Sequence, residues 1–227
     1  AQKVVHPHLV EVREVNELPD SDLPYLVTDY VDGPSLDEAL DRVSEISPAD
    51  VAEIVAQVGR ALKVLHVQHR YAHCDIKPGN ILLGKLSNPA PGNTALNDGI
   101  KAYLTDLGIA TPIGEKSTGF GVREYLPPEV VDGGLPVGVE TDIYSLGQMM
   151  RFMLTPDSRS VIASEAEPKF EQESRMTNRL PATGPTTNRP ATVLMNLAKA
   201  GGACADLARI IQKCIAPKPE DRYHHVE

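Results

Sequence analysis

Two periods of apolar spacing organise the chain. Val10, Val12 and Val15 lie among charges and predict a strand over residues 9–15. The turn-rich stretch NELPDSD follows, and residues 23–31, LPYLVTDYV, predict a second strand that completes a hairpin. VDGPS breaks it, and Leu36 and Leu40 share the inner face of a short helix predicted over 35–42. The clearest helix covers 48–69, where Val51, Ile54, Val55, Val58, Leu62 and Leu65 keep helical spacing. Ser47 is placed to cap it, Pro48 fits the first helical position and Asp50 lies in the first turn.

Further on, residues 81–83 and 101–105 predict short strands. The stretch near 84–100 between them is rich in turn formers and reads as a surface insertion. Residues 106–141 show little periodicity, and so long an irregular stretch inside a compact domain is usually functional. Residues 142–154 are apolar almost all round and predict a buried helix. The polar stretch 155–192 reads as a second insertion, and 203–216 predicts a last helix with Leu207, Ile210, Ile211 and Ile215 on one face. A few strands followed by mostly helix predict an α+β fold.

Composition narrows the function classes. With 227 residues and 41% hydrophobic content the chain can bury a core without staples. The 22 basic and 31 acidic residues give 22 − 31 = −9, which disfavours nucleic acid and anionic membranes as partners. No run approaches the roughly 20 apolar residues of a membrane span, and no signal-like segment opens the sequence. Cys74, Cys204 and Cys214 form neither a CxxC pair nor a disulfide framework. A cytoplasmic location with reduced thiols is therefore expected.

The chemistry concentrates in His73-Cys74-Asp75-Ile76-Lys77-Pro78-Gly79-Asn80. Asp75, Lys77 and Asn80 converge only if the loop is tightly turned, which Pro78 and Gly79 permit. A carboxylate can accept a hydroxyl proton, an ammonium can neutralise phosphate charge and an Asn carbonyl suits Mg²⁺. Asp106, followed by Leu107 and Gly108 at the end of a predicted strand, is a second candidate metal ligand. Two oxygen ligands, a base and a lysine fit phosphoryl transfer. His66, His69 and His73 share helical spacing but have no positioned acidic or Cys partner, which argues against a metal cluster. His73 is expected to pack under the loop, His224-His225 to be a solvated helix end, and Ser117 and Thr118 to be plain loop hydroxyls.

In this arrangement the sequence resembles the eukaryotic-type (Hanks-type) protein kinase family, serine/threonine branch. His73–Asn80 resembles the catalytic loop HRDxKxxN, with Cys74 in the Arg slot, and Asp106-Leu107-Gly108 resembles DFG. Gly121–Glu129 resembles GTxxYxxPE, Asp142–Gly147 resembles DxWSxG, and Pro219–Arg222 resembles the terminal DPxxR element. Pro24–Ser35 resembles the strand and hinge that cradle adenine.

The resemblance implies an ATP- and Mg²⁺-dependent transferase acting on protein substrates. Asp75 and Lys77 are implied as catalytic, and Asn80 and Asp106 as Mg²⁺ ligands. Thr28 is the implied gatekeeper, Asp29 and Val31 supply hinge backbone groups, and Leu82 forms the adenine floor. His73, Glu129, Asp142 and Arg222 are structural, with Glu129 and Arg222 as a buried ion pair. Residues 1–31 correspond to a remnant of the N-terminal lobe and 32–227 to the C-terminal lobe. The glycine-rich loop, the strand Lys and its helix Glu belong upstream of His6-Pro7-His8, so the chain is expected to be a kinase fragment that is inactive alone.

Three departures favour the rival reading, a pseudokinase that binds nucleotide or acts as a scaffold. Cys74 replaces the Arg that normally pairs with a phosphorylated activation loop. Val122 replaces a Thr hydroxyl that bridges Asp and Lys, and Leu107 replaces Phe. The intact Asp75, Lys77, Asn80 and Asp106 oppose that reading. Gly79, where substrate-selecting acids often sit, gives no support to a basic substrate preference.

Overall fold

The computed structural model describes residues 4–19, 21, 23–43, 45–84, 101–116, 122–131, 135–155, 199 and 201–226. The predicted insertions, apart from their first residues, and Ser117 and Thr118 lie outside them. The described strands are β1 (Val12–Glu17), β2 (Pro24–Thr28), β3 (Tyr71–Ala72), β4 (Ile81–Leu83), β5 (Ala102–Leu104) and β6 (Thr111–Pro112). The helices are α1 (Leu36–Asp41), α2 (Pro48–Val64), α3 (Pro128–Val131), α4 (Val139–Met153) and α5 (Gly202–Cys214). The strands pair antiparallel as β1–β2, β3–β6 and β4–β5. The α+β expectation holds.

The core forms around α2. Val51, Ile54, Val58, Ala61 and Leu62 are fully buried against the β4–β5 hairpin, α4 and α5. Ser47 caps α2 by accepting the Asp50 N–H at 3.1 Å, with Pro48 behind it. One polar residue lies on this apolar face: Gln57 Oε1 accepts the Ala102 N–H at 2.7 Å, which ties α2 to β5. The predicted helix reaches residue 69, but its last turn, Leu65–His69, is a π turn. Arg70 closes it in the left-handed region, at φ 60°, donating its N–H to the Leu65 carbonyl.

Other boundaries moved for identifiable reasons. The first strand begins at Val12 because Leu9 and Val10, both buried, join β5 instead. Val10 donates to the Leu104 carbonyl at 2.8 Å, and Leu104 donates to that of His8 at 2.9 Å. Helix α4 starts three residues earlier than its apolar run because the Gly138 N–H is capped by Thr141 Oγ1 at 3.0 Å. In α5 the buried stripe is Leu207, Ala208, Ile211 and Cys214, which leaves Ile210 exposed on its edge. His224 and His225 follow a 3₁₀ turn rather than ending a helix, and His224 Nδ1 lies 2.9 Å from Glu140 Oε1. The β1–β2 hairpin exposes Val15, Leu26 and Val27.

Arg222 locks the C-terminal segment to α3 and α4. Its guanidinium meets both Glu129 oxygens, at 2.6 and 2.9 Å, with side-chain exposures of 0% and 5%. It also donates to the carbonyls of Ala216, Pro217 and Glu140 and stacks 4.7 Å from the Tyr144 ring. Every donor direction of the fork is used, which makes burial of the charge tolerable. Replacing Arg222→Met keeps the bulk but strands the Glu129 carboxylate. Urea denaturation should show a loss of about 3–5 kcal/mol, and an unchanged midpoint would contradict this account of the pair.

Candidate active site

The loop from His73 to Asn80 is anchored from beneath by Asp142 of α4, which is fully buried. Its Oδ2 accepts the His73 N–H at 2.7 Å and its Oδ1 accepts the Cys74 N–H at 2.8 Å. His66 Nε2 lies 2.8 Å from the same Oδ2. These bonds hold Cys74 in the left-handed region, at φ 66°, a conformation that costs a non-glycine residue on the order of 1 kcal/mol or more. The His73 ring is buried under the loop, as expected. Its Nδ1 accepts the Asp75 N–H at 3.3 Å, so the proton sits on Nε2, which donates to the Thr105 carbonyl at 3.0 Å. Burial pushes the His73 pKa down, although the Asp142 charge opposes this.

Above this anchor three predicted residues meet. Lys77 Nζ donates to Asp75 Oδ2 at 2.7 Å. Asn80 Nδ2 donates to the same oxygen at 2.8 Å and to the Asp75 carbonyl at 2.9 Å. The 3₁₀ turn Pro78–Asn80 folds the chain back far enough for this. Thr105 donates its N–H to the Asn80 carbonyl at 3.0 Å, extending the β4–β5 register, so Asp106 lies one residue beyond the position opposite Asn80. Asp106 is exposed, has φ 66°, and accepts the Gly108 N–H at 3.1 Å. With its amide nitrogen committed to Asp75, Asn80 is left to offer its carbonyl oxygen to a cation. Together with the Asp106 carboxylate this donor set suits a hard ion such as Mg²⁺. The three histidines do not gather: His66 meets Asp142 and His73 meets Thr105.

The predicted hinge residues lie at the end of β2 and in the segment that follows it, which runs onto β4. Thr28 ends β2 opposite Val12, and the Asp29 N–H donates to the Glu11 carbonyl at 3.0 Å. The Asp29 carboxylate accepts Arg13 Nη2 at 2.8 Å. Gly33 donates to the Val31 carbonyl at 3.0 Å, a three-residue turn that lays the chain on β4. A Cβ at Gly33 would stand 1.8 Å from the Leu83 carbonyl oxygen, so only glycine fits. Leu83 then donates to the Pro34 carbonyl at 2.8 Å. Ile81 and Leu83 are buried, while Leu82, facing the other side of β4, is half-buried and offers an apolar surface.

The departures from the family pattern all have packing partners. Cys74 is buried with Ala72, Val130 and Val137, and Ile109, Ile113 and Leu126 pack against them. Thus an apolar cluster joins the loop to the following segment where the resemblance places a cation. Backbone bonds reinforce it: Ile113 to the Arg70 carbonyl at 2.9 Å, Gly114 to Val137 at 2.9 Å and Val137 to Glu115 at 2.8 Å. Val122 and Leu107 pack against the main core. Residues with no assigned role in the sequence reading also position the site. Gln57 holds β5, and Ser145 Oγ donates to the Tyr125 carbonyl at 2.8 Å. Gln57 was detectable as a lone polar residue on an apolar face.

The match to the protein kinase domain family spans residues 1–227, and the chain belongs to that family, as a Hanks-type serine/threonine kinase domain. It is 28% identical over 220 residues to serine/threonine-protein kinase PknB of Mycobacterium tuberculosis (strain H37Rv), covering 96% of this chain and 31% of that protein. It is 35% identical over 154 residues to PkaB of Streptomyces coelicolor, covering 66% and 35%. It is 32% identical over 160 residues to PrkC of Bacillus subtilis, covering 68% and 22%. The chain thus spans about a third or less of the length of these relatives. Among solved structures, the kinase domain of Mycobacterium tuberculosis PknI superposes with a TM-score of 0.62 at 24% identity, covering 98% of this chain and 69% of that one. That likeness supports the fold.

Two measurements test the electrostatics. Burial pushes the thiols of Cys74 and Cys214 up to about 12, whereas Cys204 is only half-buried. Alkylation of the folded protein at mildly alkaline pH should therefore label Cys204 first, and early labelling of Cys74 would contradict its burial. For His73 the folded pKa lies below the ordinary value of 6.5. Below that value the unfolded chain binds the extra proton, so this stability is complete above it and is withdrawn as the pH falls. Urea midpoints should drop more steeply on acidification in the parent than in His73→Phe; identical slopes would contradict the assignment.

Proposed function

We propose that the protein containing this chain transfers the γ-phosphoryl group of ATP to Ser or Thr hydroxyls of protein substrates. The observation that carries this reading is the hydrogen-bonded set Asp75–Lys77–Asn80, with Asp106 two residues past the end of β5, the strand paired with β4. Lys77 and Asn80 both occupy Asp75 Oδ2, which leaves Oδ1 to accept the substrate hydroxyl proton as the oxygen attacks phosphorus. Lys77 neutralises charge on the transferring group. Asn80 and Asp106 hold Mg²⁺, which supplies charge neutralisation on the phosphates when bound. Thr28, Asp29, Val31 and Leu82 line the adenine position.

We read residues 1–31 as the remnant of the small lobe and 32–227 as the large lobe. Residues 1–227 contain no glycine-rich loop or phosphate-binding strand lysine, so alone they transfer little or no phosphate. Protein substrates follow from membership of the kinase family, and the net charge of −9 disfavours nucleic acid as a partner. Among the described residues no helix is long and apolar enough to cross a membrane. A cytoplasmic location for this segment, where ATP and reduced thiols coexist, fits the three free cysteines. The pseudokinase reading draws on Cys74, Val122 and Leu107, but each has an apolar packing partner and the four polar groups at the site are intact.

The full-length parent, incubated with labelled ATP, Mg²⁺ and a generic protein substrate, should incorporate label. Asp75→Ala should lose about a hundredfold or more of the rate. Absence of transfer by the parent, with nucleotide still raising its melting temperature, would replace this reading with the pseudokinase.

A further inference from the structure

Strand β5, which leads to Asp106, is held differently on its two edges. One edge pairs with β4. On the other, among the described residues, the N-terminal segment pairs with it at Leu104 alone: Leu104 donates to the His8 carbonyl at 2.9 Å, and Val10 donates to that of Leu104 at 2.8 Å. The backbone groups of Ala102, two residues earlier, face this same edge. Ala102 is fully buried, so both its N–H and its carbonyl need partners. Two side chains stand in for the missing strand. Gln57 Oε1 accepts the Ala102 N–H at 2.7 Å, and His8 Nδ1 donates to the Ala102 carbonyl at 3.0 Å.

Gln57 is itself oriented for this contact. It is 4% exposed, and its amide nitrogen donates to Glu53 Oε1 at 2.7 Å, one turn earlier on α2. An ionised carboxylate only accepts, so Glu53 keeps the amide nitrogen on its side and the amide oxygen towards Ala102. The strand that Gln57 grips is three residues long, and Asp106 stands two residues beyond its end. Asp106 is exposed, and its carboxylate accepts only the nearby Gly108 N–H among the hydrogen bonds described above, so its place follows from the strand that leads to it. Backbone pairing fixes that strand at Leu104; Gln57 and His8 fix it at Ala102. Without the Gln57 acceptor the start of the strand can tilt about Leu104. We propose that Gln57 is a positioning residue for the metal end of the site: by holding the Ala102 amide it sets the slope of β5, and so where the Asp106 carboxylate stands relative to Asn80. This rests on the kinase reading.

The test compares Gln57→Leu, which suits the apolar face and loses the acceptor, with the double variant Gln57→Glu and Glu53→Gln. The double variant exchanges the two groups and keeps an oxygen facing Ala102. Both are made in the full-length parent. Two quantities are read: hydrogen exchange of the Ala102 and Thr105 amides without nucleotide, and the Mg²⁺ concentration that gives half the maximal rate at saturating ATP. Thr105 reports transmission along the strand, since its N–H bonds to the Asn80 carbonyl. Gln57→Leu should accelerate exchange at both amides and raise the Mg²⁺ requirement about tenfold or more, with the KM for protein substrate nearly unchanged. The double variant should restore both. If Gln57→Leu fails to fold, Gln57→Met replaces it and must show the same losses.

Faster exchange at Ala102 alone, with Thr105 and the Mg²⁺ requirement unchanged, would make the contact purely structural and overturn the proposal. Equal losses in the Leu variant and the exchanged pair would also overturn it. An inactive parent would instead overturn the kinase reading, and exchange at Thr105 would still decide whether Gln57 sets the end of the strand.

Discussion

A single buried carboxylate sets the geometry of the site. Asp142 is fully buried in the longest described helix of the C-terminal half, and it turns its two oxygens toward successive backbone N–H groups. Those two amides belong to a loop that passes through a left-handed residue at Cys74, which an unanchored chain would avoid. Once they are fixed, the remaining atoms have little freedom. His73 is pinned beneath the loop by Thr105, Asp75 projects from above it, and the 3₁₀ turn brings Asn80 back onto Asp75. The same strand pairing that holds Asn80 delivers Asp106. The geometry of the loop thus depends on a long-range contact, 69 residues apart in sequence for His73 and Asp142.

A second constraint comes from the edge of the domain. The segment after β2 lies on β4 only because Gly33 leaves room for the Leu83 carbonyl, and the C-terminal segment closes over α3 and α4 only because Arg222 finds Glu129. Each contact links elements that are distant in the chain. Between them the segment after Asp106 is held to the loop by an apolar cluster around Cys74 and by backbone pairing. The replacement of an arginine by cysteine therefore exchanges a charged contact for a packed one, with the thiol kept unreactive by burial.

Much of this was legible in the sequence. The apolar spacing of Val51, Ile54, Val58 and Leu62 marked α2, and Ser47 and Pro48 marked its start, because capping and amphipathicity are local properties. The spacing of Asp75, Lys77, Asn80 and Asp106 marked the site through its resemblance to a family, and the structure brings the first three into direct contact. Other features were hidden because they depend on tertiary partners. The π turn at 65–69 has the same apolar spacing as an α-helix. Leu9 and Val10 looked like the start of a hairpin strand, but burial against β5 outweighed that pairing. Helix α3 and strands β3 and β6 are too short to carry a period. His66 appeared only as one member of a histidine series, since nothing local distinguishes a ligand of Asp142 from a core histidine.

In the proposed function, Asn80 and Asp106 together form the metal end of a nucleotide site. The most direct measurement replaces Mg²⁺ by Mn²⁺ with a non-hydrolysable ATP analogue on the full-length parent and reads paramagnetic broadening of backbone resonances. Broadening is expected to be centred on Asn80 and Asp106, weaker at Asp75 and Lys77, and absent along α5 around Leu207. Broadening centred elsewhere, or none at saturating nucleotide, would contradict it.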